Sequence, residues 1–126
     1  MAHMLVIDDD PSVRSLVSGL LQACGHSVVE AENGRVGLQA FDKDRIDLVV
    51  TDIVMPEQEG IATISAIRRL SANIPILAMS GSCTVGRYGD YLHAATVMGA
   101  SATLPKPVRA DHLLEAIDRL LGARIS

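Results

Sequence analysis

The fold is decided by the stretch Leu48-Val49-Val50-Thr51-Asp52, which continues as Ile53-Val54-Met55-Pro56. A short run of β-branched and apolar residues predicts a parallel strand buried on both faces, and the segment from Pro56 to Gly60 predicts a turn after it. Asp52 is therefore expected at the carboxyl end of a central strand, the edge where open α/β sheets bind ligands. Considered alone, the pattern agrees equally well with an aspartate that only caps the turn.

A second group of acidic residues follows another short apolar strand, Met4-Leu5-Val6-Ile7, and consists of Asp8, Asp9 and Asp10. If this strand lies beside the one that ends at Asp52, several carboxylates converge at one edge of the sheet. Like charges that are so close raise one another's pKa and cost stability unless a cation neutralises them. The acidic residues therefore predict a divalent metal with oxygen ligands, Mg²⁺ or Mn²⁺.

Two further apolar strands end in residues suited to binding an anion. Ile76-Leu77-Ala78-Met79 leads into Ser80, whose hydroxyl can donate a hydrogen bond. Ala102-Thr103-Leu104-Pro105 leads into Lys106, whose ammonium is a compact charge for a phosphoryl oxygen. Each has a simpler explanation, Ser80 as a helix cap and Lys106 as a solvated charge. The informative feature is the series, because the acidic pair, Asp52, Ser80 and Lys106 each follow a separate strand.

The segments between these strands repeat their apolar residues at helical spacing, so strand and helix alternate five times along the chain. This alternation predicts a doubly wound parallel sheet of the α/β class. The predicted elements are a helix from Pro11 to a stop at Gly25, a strand over 26–30, a helix from Gly34 through Lys43, a central strand opened by Ile46, a helix from Gly60 to Leu70 and a helix over about 90–98. A last helix carries Leu113, Leu114, Ile117, Leu120 and Leu121 on one side.

With these motifs the chain resembles the receiver domains of two-component response regulators, of the chemotaxis-regulator type. The resemblance extends from Met4 to Leu121 and rests on Val6-Ile7-Asp8-Asp9-Asp10, Thr51-Asp52-Ile53-Val54-Met55-Pro56 with Gly60, Met79-Ser80-Gly81 and Leu104-Pro105-Lys106-Pro107. It implies a flavodoxin-like (βα)5 fold with a five-stranded parallel sheet in the order 2-1-3-4-5.

The resemblance also implies roles for the acidic residues. Asp52 would be the phosphoacceptor, whose carboxylate attacks a phosphoryl group and becomes an aspartyl phosphate. Asp9 and Asp52 would bind Mg²⁺ directly together with the backbone carbonyl of Val54, while Asp8 would act mainly through a metal-bound water. The chain would be a signalling phosphoacceptor and not an enzyme, with no chemistry beyond its own phosphorylation and dephosphorylation.

The remaining implied roles concern the switch and the partners. Ser80 and Lys106 would contact the phosphoryl oxygens, and the donor would be a sensor histidine kinase or a histidine phosphotransfer protein. Thr103 stands where many receivers have an aromatic switch residue, so the signal is expected to depend mostly on backbone rearrangement from Gly81 to Tyr91. The face made by the fourth helix, fifth strand and fifth helix is the expected surface for a downstream protein or a second copy.

Composition limits the number of domains and disfavours several classes of protein. At 126 residues, 48% of them hydrophobic, the chain can bury one core, so residues 1–126 are expected to form a single receiver domain. A net charge of −4 without a basic stripe disfavours nucleic-acid binding. No signal peptide or bilayer-length apolar run is present, so a cytoplasmic location without membrane contact is expected.

Several other residues are predicted to be unrelated to the site. Cys24 and Cys83 are expected to be free thiols, and the four histidines are dispersed without ligand spacing. Arg68, Arg69 and Arg119 are expected to be solvated helix charges. Residues Met1–His3 are set aside as a candidate cloning remnant, and an end soon after Leu121 suits a stand-alone protein.

Two other classes of protein share parts of the pattern. Haloacid-dehalogenase-type phosphatases also begin with an Asp-x-Asp motif, in which Asp8 would be the nucleophile and Asp10 the general acid. Those enzymes need a further acidic residue at a strand end, whereas Asp111 and Asp118 are predicted on a helix, and Asp52 would have no role. A flavin-binding module is less favoured still, because the acidic cluster would repel a flavin phosphate.

Overall fold

Five parallel strands form one sheet in the computed structural model, which describes residues 2–53, 59–80 and 99–125. The strands are β1 (His3–Ile7), β2 (Ser27–Ala31), β3 (Leu48–Asp52), β4 (Ile76–Ser80) and β5 (Ala102–Pro105). Their spatial order is β2-β1-β3-β4-β5, and every neighbouring pair is parallel. The predicted flavodoxin-like sheet order is confirmed, and the two strands that end in acidic residues, β1 and β3, are neighbours.

Helices cover both faces of this sheet, which explains why β3 is buried along its whole length. The helices of the described residues are α1 (Pro11–Ala23), α2 (Gly34–Ala40), α3 (Glu59–Leu70) and α4 (Ala110–Ile125). One buried cluster packs α2 and α3 on one face, around Ile7, Val49 and Ile76. The other packs α1 and α4 on the opposite face, around Val6, Val50 and Leu77. All five residues of β3 are buried as a result.

Helix α1 begins and ends where the sequence predicts. The Asp10 side chain accepts a hydrogen bond of 2.9 Å from the Ser12 amide, and Pro11 occupies the first helical position. At the other end, Gly25 has a positive φ of 90°, and the His26 amide donates to the Leu21 carbonyl. This pattern is the Schellman motif, which requires a residue that tolerates the left-handed region. Asp10 is thus assigned to the cap of α1.

Two predicted boundaries between α2 and β3 are wrong. The helix ends at Ala40 and not at Lys43, and β3 begins at Leu48 and not at Ile46. The cause is Asp42, whose carboxylate accepts from the Asp44 amide at 2.9 Å and whose carbonyl accepts from the Ile46 amide at 2.8 Å. An aspartate that bonds to nearby backbone in this way competes with continuation of the helix.

The amino terminus also differs from expectation. Strand β1 begins at His3, one residue earlier than predicted, and Ala2 is buried in the core with only 7% of its surface exposed. The Ala2 amide donates to the Nδ1 atom of His26 at 3.1 Å. Ala2 and His3, two of the three residues assigned to a candidate cloning remnant, therefore belong to the amino edge of the sheet.

The predicted helix over 90–98 and the Gly81–Tyr91 segment lie outside the described residues. Among the helices that are described, none has both the length and the apolar character needed to cross a bilayer.

Candidate functional site

The carboxylates of Asp8, Asp9 and Asp52 meet at the carboxyl edge of the sheet. Strands β1 and β3 are paired, and Ile7 lies beside Thr51. The next residue on each chain segment, Asp8 after Ile7 and Asp52 after Thr51, is therefore a neighbour of the other. One oxygen atom from each of the three carboxylates lies within 4.8 Å of the other two. Asp8 and Asp52 are buried and Asp9 is exposed, so the cluster opens to solvent on the Asp9 side.

Hydrogen bonds fix the position of Asp8 on nearly every side. Its amide donates to the Ala31 carbonyl at 3.1 Å, and its Oδ1 atom accepts from the Asp10 amide at 2.9 Å. Its carbonyl oxygen accepts from Nη1 of Arg14 at 2.8 Å. Asp8 is therefore a rigid part of the site, as its complete burial requires of a charged group.

Lys106 reaches the same cluster from the end of β5. Its Nζ atom lies 2.8 Å from Oδ2 of Asp8 and 3.1 Å from Oδ2 of Asp52, and only 13% of its side chain is exposed. Burial alone would lower the pKa of the Lys106 ammonium. The hydrogen bond to Asp8 and the charges of Asp52 and Asp8 outweigh burial and raise that pKa above its ordinary value. Lys106 therefore stays charged at neutral pH, and its peptide bond to Pro107 is cis.

The charge balance of the site fits a hard divalent cation. Three carboxylates and one ammonium leave two formal negative charges, which a single Mg²⁺ or Mn²⁺ ion would neutralise. Each of the three aspartates offers a carboxylate oxygen, the donor type that these ions prefer. Asp9 is exposed, so an ion can reach the cluster from solvent. The predicted acidic residues Asp8, Asp9 and Asp52 are thus brought together in an arrangement that suits the predicted metal.

Other predicted site residues are located less completely. The backbone of Ser80 ends β4, in register with Pro105, but its hydroxyl and the whole of Val54 lie outside the described residues. Thr103 is half-buried on β5 and lies beside Ala78 of β4. Strand alternation puts it on the opposite face from Leu104, which packs with α1 and α4.

The acidic residues that a phosphatase would need are elsewhere. The Asp10 carboxylate caps α1 through Ser12. Asp111 and Asp118 are exposed on α4, as the sequence predicted. The Arg109 guanidinium holds the pKa of Asp111 below its usual range, through a surface ion pair of 3.1 Å. Asp10 contacts Asp8 through its amide, while its carboxylate is engaged in the helix cap.

Arg68 corrects one prediction, because it is not a solvated helix charge. Its guanidinium donates to four backbone carbonyls, at distances between 2.6 and 3.3 Å, which belong to Ser71, Ala72, Ile74 and Gly99. Burial lowers the pKa of Arg68 from its ordinary value. Arg68 shares its place in the last turn of α3 with Arg69, so this position alone does not predict the role.

Comparison with known proteins agrees with this geometry. Residues 4–118 match the family model described as the response regulator receiver domain. The chain belongs to this family. The assignment confirms the resemblance seen in the motifs, and the protein is a receiver domain of two-component response regulators.

Relatives of two sizes match this receiver domain. The chemotaxis protein CheY of Bacillus subtilis is 35% identical over 124 residues, which are 97% of this chain and 100% of that protein. The transcriptional regulatory protein GlrR of Escherichia coli is 36% identical over 120 residues, 95% of this chain, but the match spans only 26% of GlrR. The chain therefore spans about a quarter of that longer relative.

Solved structures show the same fold. A response regulator receiver domain from Clostridium thermocellum superposes with a TM-score of 0.88 at 29% identity, covering 98% of this chain and 97% of that one. The chemotaxis protein CheY4 of Vibrio cholerae gives a TM-score of 0.82 at 32% identity, with 95% and 98% of the two chains covered. Neither the family model nor these relatives indicate a haloacid-dehalogenase-type phosphatase.

Proposed function

We propose that Asp52 is the phosphoacceptor of this receiver domain and that Asp8 and Asp9 bind Mg²⁺ or Mn²⁺ beside it. The observation that supports this proposal is the shared environment of the Asp52 carboxylate. An oxygen of Asp52 lies within 4.8 Å of ligand oxygens from Asp8 and Asp9, and the Lys106 ammonium lies 3.1 Å from Oδ2. A nucleophile, metal ligands and an anion-binding charge thus occupy one site, as phosphoryl transfer requires.

The proposed reaction transfers one phosphoryl group. An oxygen of the Asp52 carboxylate attacks the phosphorus, the bond from phosphorus to the donor's imidazole nitrogen breaks, and an acyl phosphate forms on Asp52. The ammonium of Lys106 then exchanges its contact with Asp52 for one with a phosphoryl oxygen while it keeps Asp8. A bound divalent ion supplies charge neutralisation for the phosphoryl oxygens. The Val54 carbonyl as a metal ligand and the Ser80 hydroxyl as a phosphoryl donor remain predictions.

The biological setting is part of the same proposal. We propose that residues 1–126 form one such domain, which acts in the cytoplasm and catalyses no reaction on a separate substrate. A sensor histidine kinase or a histidine phosphotransfer protein would supply the phosphoryl group. A downstream protein or a second copy would bind the face formed by β5, α4 and the helix predicted over about 90–98. Thr103 on β5 would be a switch position on this face.

Mass spectrometry tests the phosphoacceptor directly. Incubation with acetyl phosphate and Mg²⁺ should add the mass of one phosphoryl group, and borohydride reduction followed by tandem mass spectrometry should locate it at Asp52. The same preparation should not turn over a general phosphomonoester such as p-nitrophenyl phosphate. A label at Asp8 with steady phosphomonoester hydrolysis would instead support the phosphatase that uses Asp8 and Asp10.

A thermal-shift experiment tests the metal. Mg²⁺ should raise the unfolding free energy by mass action, by about 2.7 kcal/mol at a hundredfold excess over its Kd. Asp9→Asn should lose most of this response, because it removes one of the three clustered carboxylates. Asp10→Asn is the matched control, since asparagine caps a helix as well as aspartate does. An equal loss of Mg²⁺ stabilisation in both variants would contradict the division of roles.

A further inference from the structure

Arg14 connects α1, β1 and β2 directly behind the acidic cluster. Its Nη1 atom donates to the Asp8 carbonyl oxygen at 2.8 Å, and its Nε atom donates to Oε1 of Glu30 at 3.2 Å. The other oxygen of Glu30 accepts from the hydroxyl of Ser18, a buried residue of α1, at 3.3 Å. Only 20% of the Arg14 side chain is exposed. The guanidinium is thus held from both sides, by the Asp8 backbone and by the Glu30 carboxylate.

The carbonyl that Arg14 binds belongs to the peptide group between Asp8 and Asp9. Fixing the direction of that carbonyl fixes the backbone angles on either side of it, and therefore the direction in which the Asp9 side chain leaves the backbone. The Asp8 carboxylate has its own anchors in the Asp10 amide and Lys106. The exposed Asp9 carboxylate has no comparable hydrogen-bond donor among the described residues. Its orientation depends on the backbone alone.

We propose that Arg14 is a positioning residue for the metal site, and that Glu30 orients its guanidinium. Arg14 holds the Asp8–Asp9 peptide in the orientation that brings Asp9 to Asp8 and Asp52. The inference rests on the proposed function, because it assumes that these carboxylates bind Mg²⁺. Neither residue belongs to the carboxylate cluster, so both would act through the backbone of the acidic ligands.

For Arg14, electrostatics and positioning predict opposite effects on Mg²⁺ binding, which makes its positioning role testable. Arg14 is a cation near a cation site, so removing its charge should by itself tighten Mg²⁺ binding. Removing the negative charge of Glu30 should by itself weaken it. If Arg14 positions Asp9, Arg14→Met weakens binding despite the favourable change in charge. Glu30→Gln then has the smaller effect, because glutamine keeps an oxygen for the guanidinium and its amide NH2 can donate to the Ser18 hydroxyl.

Isothermal titration calorimetry of the whole chain with Mg²⁺ measures this difference. Arg14→Met should raise the Mg²⁺ Kd about tenfold, as loss of a partner that orients a metal ligand typically does. The control is Arg45→Met, which removes the same charge from an exposed ion pair with Asp42, and it should change the Kd by less than about twofold. Phosphorylation of Arg14→Met by acetyl phosphate should be slow at low Mg²⁺ and should recover at saturating Mg²⁺.

The outcomes separate this inference from the function on which it rests. Absence of Mg²⁺ binding in the unaltered protein would overturn the proposed metal site itself. If the unaltered protein binds Mg²⁺ and Arg14→Met binds it equally well or more tightly, only the positioning role is overturned. A phosphorylation rate of Arg14→Met that stays low at saturating Mg²⁺ also contradicts it. Should Arg14→Met fail to fold, Arg14→Gln provides the same comparison with a polar side chain.

Discussion

Replacing Asp52 with asparagine should abolish phosphorylation by acetyl phosphate while leaving the fold intact. An amide oxygen is not a nucleophile for phosphorus, and the neighbouring Asp8 is fully buried and held in place by the Asp10 amide and Lys106. Intact-mass spectrometry of Asp52→Asn should therefore show no phosphoryl adduct at any Mg²⁺ concentration. Undiminished labelling of this variant would mean that another residue is the acceptor.

Loss of a buried ion pair usually lowers the free energy of unfolding, but Asp52→Asn should not lower it. In Asp52→Asn, Lys106 keeps its 2.8 Å contact with Asp8, so no buried charge is left unpaired. The acidic cluster also loses one of its two uncompensated charges. In metal-free buffer, Asp52→Asn should unfold at the same urea concentration as the unaltered protein or at a higher one.

Lys106→Met is the matched comparison for this stability effect. It leaves the buried carboxylates of Asp8 and Asp52 beside Asp9 without the only ammonium that the described residues place there. Breaking a buried pair in this way costs about 3–5 kcal/mol. Mg²⁺ should restore part of that loss by neutralising the same charges. Equal destabilisation by Asp52→Asn and Lys106→Met would show that the ion pairs, and not the excess of carboxylates, dominate the energetics of the site.

The fold could be predicted because its signals are local and strong. The apolar run of β3 is buried, and strands and helices alternate from β1 to β4 in the described part of the chain. The ends of α1 follow directly from Asp10, Pro11 and Gly25, each of which acts on backbone groups within a few residues. The clustering of Asp8, Asp9 and Asp52 then follows from one topological fact, the pairing of β1 with β3.

Some of the contacts that sequence reasoning missed join residues far apart along the chain. Arg14 binds Glu30 across 16 residues, and Arg68 binds the Gly99 carbonyl across 31. Nothing in the local sequence distinguishes these arginines from Arg69, which is exposed on the same helix as Arg68. An arginine side chain packs against the protein only where the folded chain places backbone carbonyls within its reach.

Arg68→Met should be strongly destabilising although Arg68 lies outside the acidic site. The guanidinium of Arg68 joins the end of α3 to the segment before β4 and to Gly99, which precedes β5 and has a positive φ of 123°. Methionine preserves the length of the side chain but leaves these half-buried carbonyls without a donor. Since hydrogen bonds to charged groups contribute about 1.5–3 kcal/mol each and water can replace some of them, we expect a net loss of about 3 kcal/mol. Urea unfolding measures it.

Arg69→Met is the control, because Arg69 is the next residue, carries the same charge and is exposed. It should change the unfolding free energy by less than about 0.5 kcal/mol. Arg68→Lys should recover only part of the loss, since a single ammonium cannot reproduce the planar fork that reaches both Ile74 and Gly99. Similar losses in Arg68→Met and Arg69→Met would mean that helix charge, and not the carbonyl contacts, explains the effect.

Hydrogen exchange distinguishes a local anchor from a general loss of stability. Beside Gly99, the Ser101 amide donates to the Ile76 carbonyl at 2.7 Å, and the Ile76 amide donates to the Ser101 hydroxyl at 3.1 Å. If Arg68 holds the amino ends of β4 and β5 together, these two amides should lose protection in Arg68→Met under native conditions. The β1 amides, on the far side of β3, should lose protection only as far as global unfolding dictates. A uniform loss across the sheet would contradict the anchoring role, because a joint between two strands opens before the strands themselves unfold.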